Sequence, residues 1–402
     1  MAPRVRLFGL HVLADHFPSL HGLRALAVVS VLQIHVTISL TAVGLMHDDA
    51  FYRRSASVWF GMDLFFILSG FLMGSLLLPA DDARQGKGSR PVGEATPGSR
   101  RAGSHIGRFY VRRAFRIIPL YYVVLTTLAL AVPLSPEQRA GLPFEYAYLI
   151  NYHTFSAPTL MPWAWSLAVE EHFYLAVPLV AALLAFVPRT TWRIGALAAL
   201  WLAGFGVRYA VFASRPTWTP PEMFGELYTR THTRFDILVA GVLLAHVQRA
   251  HGAQLRVILR RRPLALALAL VPAVCCWALL GPLAWRYDLS TIFAWGTVTS
   301  VMYFCLILIL LNTESVITRW LSSRWFLRFA TLGYGVYLVH PPVISLVVIP
   351  LAAVMVVALH LPLAVVWVCS LVVLLVVATA VAYVLHLVVE KPALWLRDRV
   401  AA

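Results

Sequence analysis

FATLGYGVYLVHPPVISLVVIPLAAVMVVALHLPLAVVWVCSLVVLLVVATAVAYVLHLVV, residues 329–389, contains no Asp, Glu, Lys or Arg. A helix rises about 1.5 Å per residue, so this run is long enough to cross the ~30 Å hydrocarbon core of a bilayer twice. The rest of the 402-residue chain is of the same kind: 60% is hydrophobic and 13% charged, with a mean hydropathy of +0.76. Soluble domains run at roughly 45–50% apolar and about 25% charged, which excludes that class. The sequence predicts an all-α integral membrane protein, a bundle of about ten transmembrane helices. They are read at about 20–45, 58–79, 109–132, 163–187, 192–214, 234–250, 263–282, 288–312, 329–358 and 361–389.

The formal net charge of +15 acquires meaning only when the basic residues are placed relative to those spans. With the N-terminus inside, seven of the 33 Lys and Arg fall in outward loops (Arg53, Arg54, Arg139, Arg215, Arg230, Arg234 and Arg286) and three are intramembrane (Arg24, Arg116 and Arg208). The rest are cytoplasmic, so the positive-inside rule puts both termini in the cytoplasm. The charge addresses a membrane surface, and no nucleic-acid partner is expected.

The opening MAPRVRLFGLHVLADHF lacks the continuous apolar stretch and small-residue cleavage site of a signal peptide, so the first span is expected to remain. Residues 1–402 read as a single membrane domain. One hydrophilic insertion at about 81–108, rich in Gly, Ser, Pro and Arg, is expected to be a flexible basic cytoplasmic loop. No internal repeat and no appended soluble domain is expected. Cys275, Cys276, Cys305 and Cys369 lie in apolar spans without CxxC spacing or a His cluster. They are expected to pack as small apolar side chains, with no metal bound.

Ionisable groups at hydrocarbon depth cost roughly 3 kcal/mol each on insertion scales, so each marks a candidate site. In SLHGLRALAVVSVLQIHV, Arg24 and His35 are eleven residues apart and therefore share a helix face. Arg24 near the inner surface can hold an anionic donor, and the deeper His35 can take a proton from a hydroxyl. An interfacial anchor plus a structurally satisfied imidazole is the equal alternative. WFGMDLFFILSGFLMG puts Asp63 at the outward end of the second span, where it can orient an imidazole or satisfy a helix N-terminus. Ser69 and Gly70 fall near its middle, and Gly61, Gly70 and Gly74 suit close helix packing.

RFYVRRAFRIIPLYY carries Arg112, Arg113 and Arg116, the first and last on one face. Anchoring explains Arg112 and Arg113; Arg116 lies a turn deeper, and a mouth lined by guanidinium suits a phosphate-bearing donor. In MPWAWSLAVEEHFYL, Trp163, Trp165 and Tyr174 fit an aromatic belt. Glu170 and Glu171 point about 100° apart, so one of them is expected to line a polar interior. THTRFDILVAG is read as pairing Arg234 with Asp236 at the outer surface. In TLGYGVYLVHPP, His340 precedes two prolines whose missing donors free carbonyls that then need partners.

Taken in order, the Arg24 to His35 run, GMDLFFILSGF, RRAFRIIP, WSLAVEEHFYL, RFDILVAG, LGYGVYLVHPP and EKPALWLR resemble the membrane acyltransferase-3 family of bacterial O-acyltransferases. The resemblance runs from the first span to the last. It implies a multi-pass protein of the bacterial inner membrane. It further implies transfer of an acyl group, usually acetyl, from cytoplasmic acyl-CoA as cosubstrate to a hydroxyl on a glycan or glycosylated molecule. His35 matches the family's proposed catalytic His, Arg24 its motif Arg, Asp63 the second-span acid, Arg116 the third-span Arg and Glu170 the Glu of the WSL-x-x-E run. His172 stands where many relatives have Gln. Relatives often carry an extracytoplasmic SGNH-type domain after the membrane part; none is expected here.

The resulting expectation places acyl-CoA phosphates at Arg24 and Arg116, with Arg112 and Arg113 beside them. His35 serves as general base, oriented by Asp63 or Glu170. No GxSxG, HExxH or GxxxxGK[ST] motif occurs. Two other readings remain: acylation of a macrolide-type natural product, and a transporter or flippase for a polar or lipid-linked substrate.

Overall fold

The computed structural model describes residues 5–7, 10–12, 17–46, 49–56, 60–77, 102–153, 158–280 and 294–400. Val5–Leu7 and Leu10–Val12 form a two-stranded antiparallel ladder. The remaining regular structure among the described residues is helical. The principal helices are α1 (Pro18–Ala42), α2 (Gly61–Leu77), α3 (Ala102–Ala131), α4 (Trp165–Ala185), α5 (Thr190–Ala213) and α6 (Thr231–Leu259). They continue with α7 (Arg262–Leu280), α8 (Thr299–Asn312), α9 (Arg324–Val343) and α10 (Leu363–Leu385).

Each helix overlaps one span read from the sequence, but they are not equally fit to cross a bilayer. Seven helices among the described residues are long and apolar enough by length and composition. Gly61–Leu77 and Leu264–Cys275 are apolar but shorter. α6 carries Arg234 and Asp236 within its first two turns, and its polarity is paired inside the bundle rather than offered to lipid. The insertion at 81–108 lies outside the described residues up to position 101; its last part is the first two turns of α3.

The long apolar run 329–389 divides where its chemistry requires. His360 adopts a left-handed φ of 48°, and Pro362 caps α10 in extended geometry, so the chain reverses between two spans. α9 continues through Pro341 and Pro342 into a wide turn, Ile344–Val348. Pro341 cannot donate to the carbonyl of Tyr337 four residues earlier. The His340 Nδ1–H takes that carbonyl instead, at 2.5 Å.

α2 and α6 make the closest crossing. A Cβ on Gly70 would stand 2.0 Å from the Leu238 carbonyl, and one on Gly241 would stand 2.1 Å from the Ile67 carbonyl. Only paired glycines allow this backbone approach, which locks the α2 register against the bundle.

Candidate active site

A cavity of about 340 Å³ opens between α1, α2, α3, α4, α9 and the C-terminal helix Lys391–Val400. Arg24, Arg113 and Arg116 line it together with Glu170, Glu171 and Ser69. The sequence placed Arg112 and Arg116 on one face, but Arg112 is exposed and outside the lining. Arg113, Arg116 and Ile117 follow the i, i+3, i+4 stripe of α3, and that stripe is the cavity wall.

At the cavity wall Ser69 donates its hydroxyl to Glu170 Oε1, joining α2 to α4. Tyr174, one turn after Glu170, donates to the same oxygen at 2.9 Å and stands 3.3 Å from Ser69 Oγ. The Arg113 guanidinium lies 3.5 Å above the Tyr174 ring centroid, and its Nε has no hydrogen-bond partner among the described residues. One carboxylate was expected to line a polar interior, and the structure places both in the cavity lining: Glu170 is bonded to Ser69 and Tyr174, while Glu171 contributes another part of the wall.

Above this group Tyr337 and Ser166 also line the cavity, their hydroxyls 2.6 Å apart, with Tyr337 donating to the Trp163 carbonyl at 2.5 Å. Tyr337 leads to the histidines: its ring centroid lies 5.4 Å from that of His340, which in turn lies 4.8 Å from His35. His35 itself is not among the lining residues. Its Nδ1–H donates to the Val31 carbonyl at 2.8 Å, which leaves Nε2 as the basic nitrogen.

Asp63 does not orient His35. One of its oxygens binds Arg234 and the other accepts from Thr299 at 2.6 Å, and all of Asp63 is buried. Glu170 makes no contact with His35 either. The expected pairing of Arg234 with Asp236 is also replaced. Two positions apart on a helix point about 200° apart, so Arg234 reaches Asp63 on α2, while Asp236 pairs with Arg208 on α5 at 2.7 Å. Arg208 further donates to the Thr233 carbonyl at 2.8 Å and Thr297 Oγ1 at 2.7 Å. Gly296, at φ 80°, passes over this pair where a Cβ would stand 2.8 Å from Arg208 Nη1. Both ion pairs are fully buried and outside the cavity lining, so they fasten helices together rather than meet a ligand.

One functional support had no signal in the motifs. Glu145, buried before α4, accepts the Leu160 N–H at 2.6 Å and the Met161 N–H at 3.2 Å, fixing the approach to Trp163 and Glu170. Burial pushes its carboxyl above the usual range, partly offset by those two backbone donors. His172 is held elsewhere, with Nδ1 2.6 Å from Thr231 Oγ1 at the start of α6. Among the described residues no group of three His, Cys, Asp or Glu side chains forms a metal site. Cys275, Cys305 and Cys369 are free thiols; Cys276 lies where side chains are not described.

A family model described as an acyltransferase domain, that of the acyltransferase-3 family, matches residues 17–387. The chain is 26% identical over 352 residues to the peptidoglycan O-acetyltransferase OatA of Listeria monocytogenes, covering 82% of this chain and 50% of that protein. It is 26% identical over 354 residues to the putative peptidoglycan O-acetyltransferase YrhL of Bacillus subtilis, covering 82% and 49% respectively. A putative O-acetyltransferase of Staphylococcus aureus strain COL is 25% identical over 248 residues, covering 57% of this chain and 34% of its own length. The chain spans about half the length of the first two relatives. No solved structure matches it. With the match running through every helix that walls the cavity except the C-terminal one, the chain belongs to the acyltransferase-3 family.

Proposed function

We propose that this chain is a multi-pass O-acyltransferase of the bacterial inner membrane. It takes an acyl group, acetyl first, from cytoplasmic acyl-CoA and passes it to a hydroxyl of an envelope glycan. The observation that carries this reading is the cavity itself, with arginines for an anionic donor and a hydroxyl–carboxylate group in one space. Arg24 and Arg116 hold phosphate oxygens by charge-assisted hydrogen bonds. Arg113 stands beside the acyl end, and Arg112 anchors α3 at the headgroups. His35 Nε2 removes the acceptor's proton as its oxygen attacks the acyl carbon. Glu170 acts inside the cavity, and Asp63 acts through the placement of α2.

The names of the two bacterial peptidoglycan relatives favour an envelope glycan over a macrolide-type acceptor. Membrane vesicles given acetyl-CoA labelled in the acetyl group test this. The expected result is label in a glycan fraction, dependent on the protein and lost in His35→Ala. Substrate counterflow without acyl-CoA, and no covalent product, would contradict it and favour transport.

A further inference from the structure

We propose that Ser69 is a nucleophile that carries the acyl group covalently between donor and acceptor. This rests on the acyl-CoA reading above and adds a step to it. Ser69 is half-buried, lines the cavity and carries the aliphatic hydroxyl bonded directly to Glu170, a carboxylate of the same cavity. A serine becomes a useful nucleophile when an adjacent base accepts its proton, and the base is best held by a third group. Here Tyr174 donates to the same Glu170 oxygen at 2.9 Å and fixes the carboxylate. Arg113, stacked on Tyr174, lining the cavity and with no hydrogen-bond partner for Nε among the described residues, supplies positive charge where a tetrahedral oxyanion forms.

His35, by contrast, stands outside the lining, behind Tyr337 and His340. Glu170, inside the cavity, is therefore the base for the thioester step, and His35 is left to serve an acceptor hydroxyl that enters between it and the Ser69 ester.

In the first step Ser69 Oγ attacks the thioester carbonyl carbon and its proton passes to Glu170. The C–S bond breaks with its electron pair on sulfur, which takes the proton back from Glu170 and leaves as the CoA thiol. The product is a Ser69 ester. In the second step the acceptor oxygen attacks that ester carbon and the C–Oγ bond breaks. The acceptor's proton, removed by His35, replaces the one Ser69 gave up. No oxidant, reductant or metal enters the balance.

The test uses the purified full chain in detergent, acetyl-CoA as probe, and acid quench followed by intact and peptide mass spectrometry, with released CoA thiol and thermal stabilisation read in parallel. His35→Ala is expected to accumulate one acetyl group on the Ser69 peptide, because the second step is blocked. Ser69→Ala is expected to keep stabilisation by acetyl-CoA but lose both the adduct and transfer. Ser69→Cys is expected to form a thioester adduct that neutral hydroxylamine cleaves, distinguishing a lost nucleophile from a lost fold. Consumption of acetyl-CoA or transfer to acceptor with no adduct at residue 69, or transfer surviving in Ser69→Ala, would overturn the proposal and leave the donor reading standing. Absence of any stabilisation or thiol release in the wild type would overturn the donor reading and this step with it.

Discussion

His35 on α1 and His340 on α9 stand edge to face with ring centroids 4.8 Å apart, each with its Nδ1–H given to a backbone carbonyl of its own helix. The same tautomer in both rings leaves two Nε2 lone pairs, and that of His340 is buried without a hydrogen-bond partner among the described residues. Packing against His340 therefore holds the orientation of the proposed base. Acetyl transfer should fall by about 10²–10⁴-fold in His35→Ala, the range for a lost general base. It should fall by up to about 100-fold in His340→Ala, where the base is misplaced rather than absent. Both variants should keep stabilisation by acetyl-CoA, measured by thermal unfolding in detergent.

Removing one of the arginines proposed to hold the donor phosphates should act on the donor alone. A hydrogen bond to a charged group contributes about 1.5–3 kcal/mol, so Arg24→Ala or Arg116→Ala should raise the KM for acyl-CoA roughly 10- to 100-fold. Turnover at saturating donor should change little. Arg112→Ala, outside the cavity lining, should leave KM near its starting value.

The buried Asp63–Arg234 pair ties α2 to α6, and breaking it from one side strands a charge in the bundle. Asp63→Ala or Arg234→Ala should destabilise the protein by about 3–5 kcal/mol. Removing both should cost less than the sum of the single changes, because no lone charge remains. A double-mutant cycle on unfolding free energy checks this.

Glu145 predicts a pH dependence outside the membrane-spanning segments. Burial raises its carboxyl above the ordinary range, so the fold favours the protonated form. Its contribution is fully present below the unfolded value of about 4.3 and is lost as pH rises through the higher folded value. Glu145→Gln keeps an acceptor for Leu160 and Met161 and should flatten the fall in melting temperature between acid and neutral pH.

The helices were legible because their signal is one-dimensional: a charge-free run such as 329–389 must be satisfied internally, and residues 360–362 supply a left-handed turn and a capping proline. The close approach at Gly70 was legible for the same reason, since small residues in an apolar helix have few other uses. The partners of Asp63, Arg234 and Asp236 were not. Proximity in sequence suggested Arg234 with Asp236, whereas helix geometry sends them to opposite sides and their partners lie 171 and 28 positions away. Tyr174 was read as part of an aromatic belt, whereas it shares a helix face with Glu170, and nothing local says that Ser69, 101 positions earlier, arrives there. Glu145 carries no motif at all; its role exists only because the Leu160–Met161 backbone arrives with unsatisfied donors.

Whether the arginine-lined cavity takes acyl-CoA is decided by thermal unfolding of purified wild type and Arg116→Ala with acetyl-CoA, longer acyl-CoAs and free CoA. The wild type should be stabilised by an acyl-CoA at micromolar to millimolar concentration, with a much weaker shift in Arg116→Ala. No stabilisation of the wild type by any acyl-CoA, or an equal shift in both proteins, would contradict it.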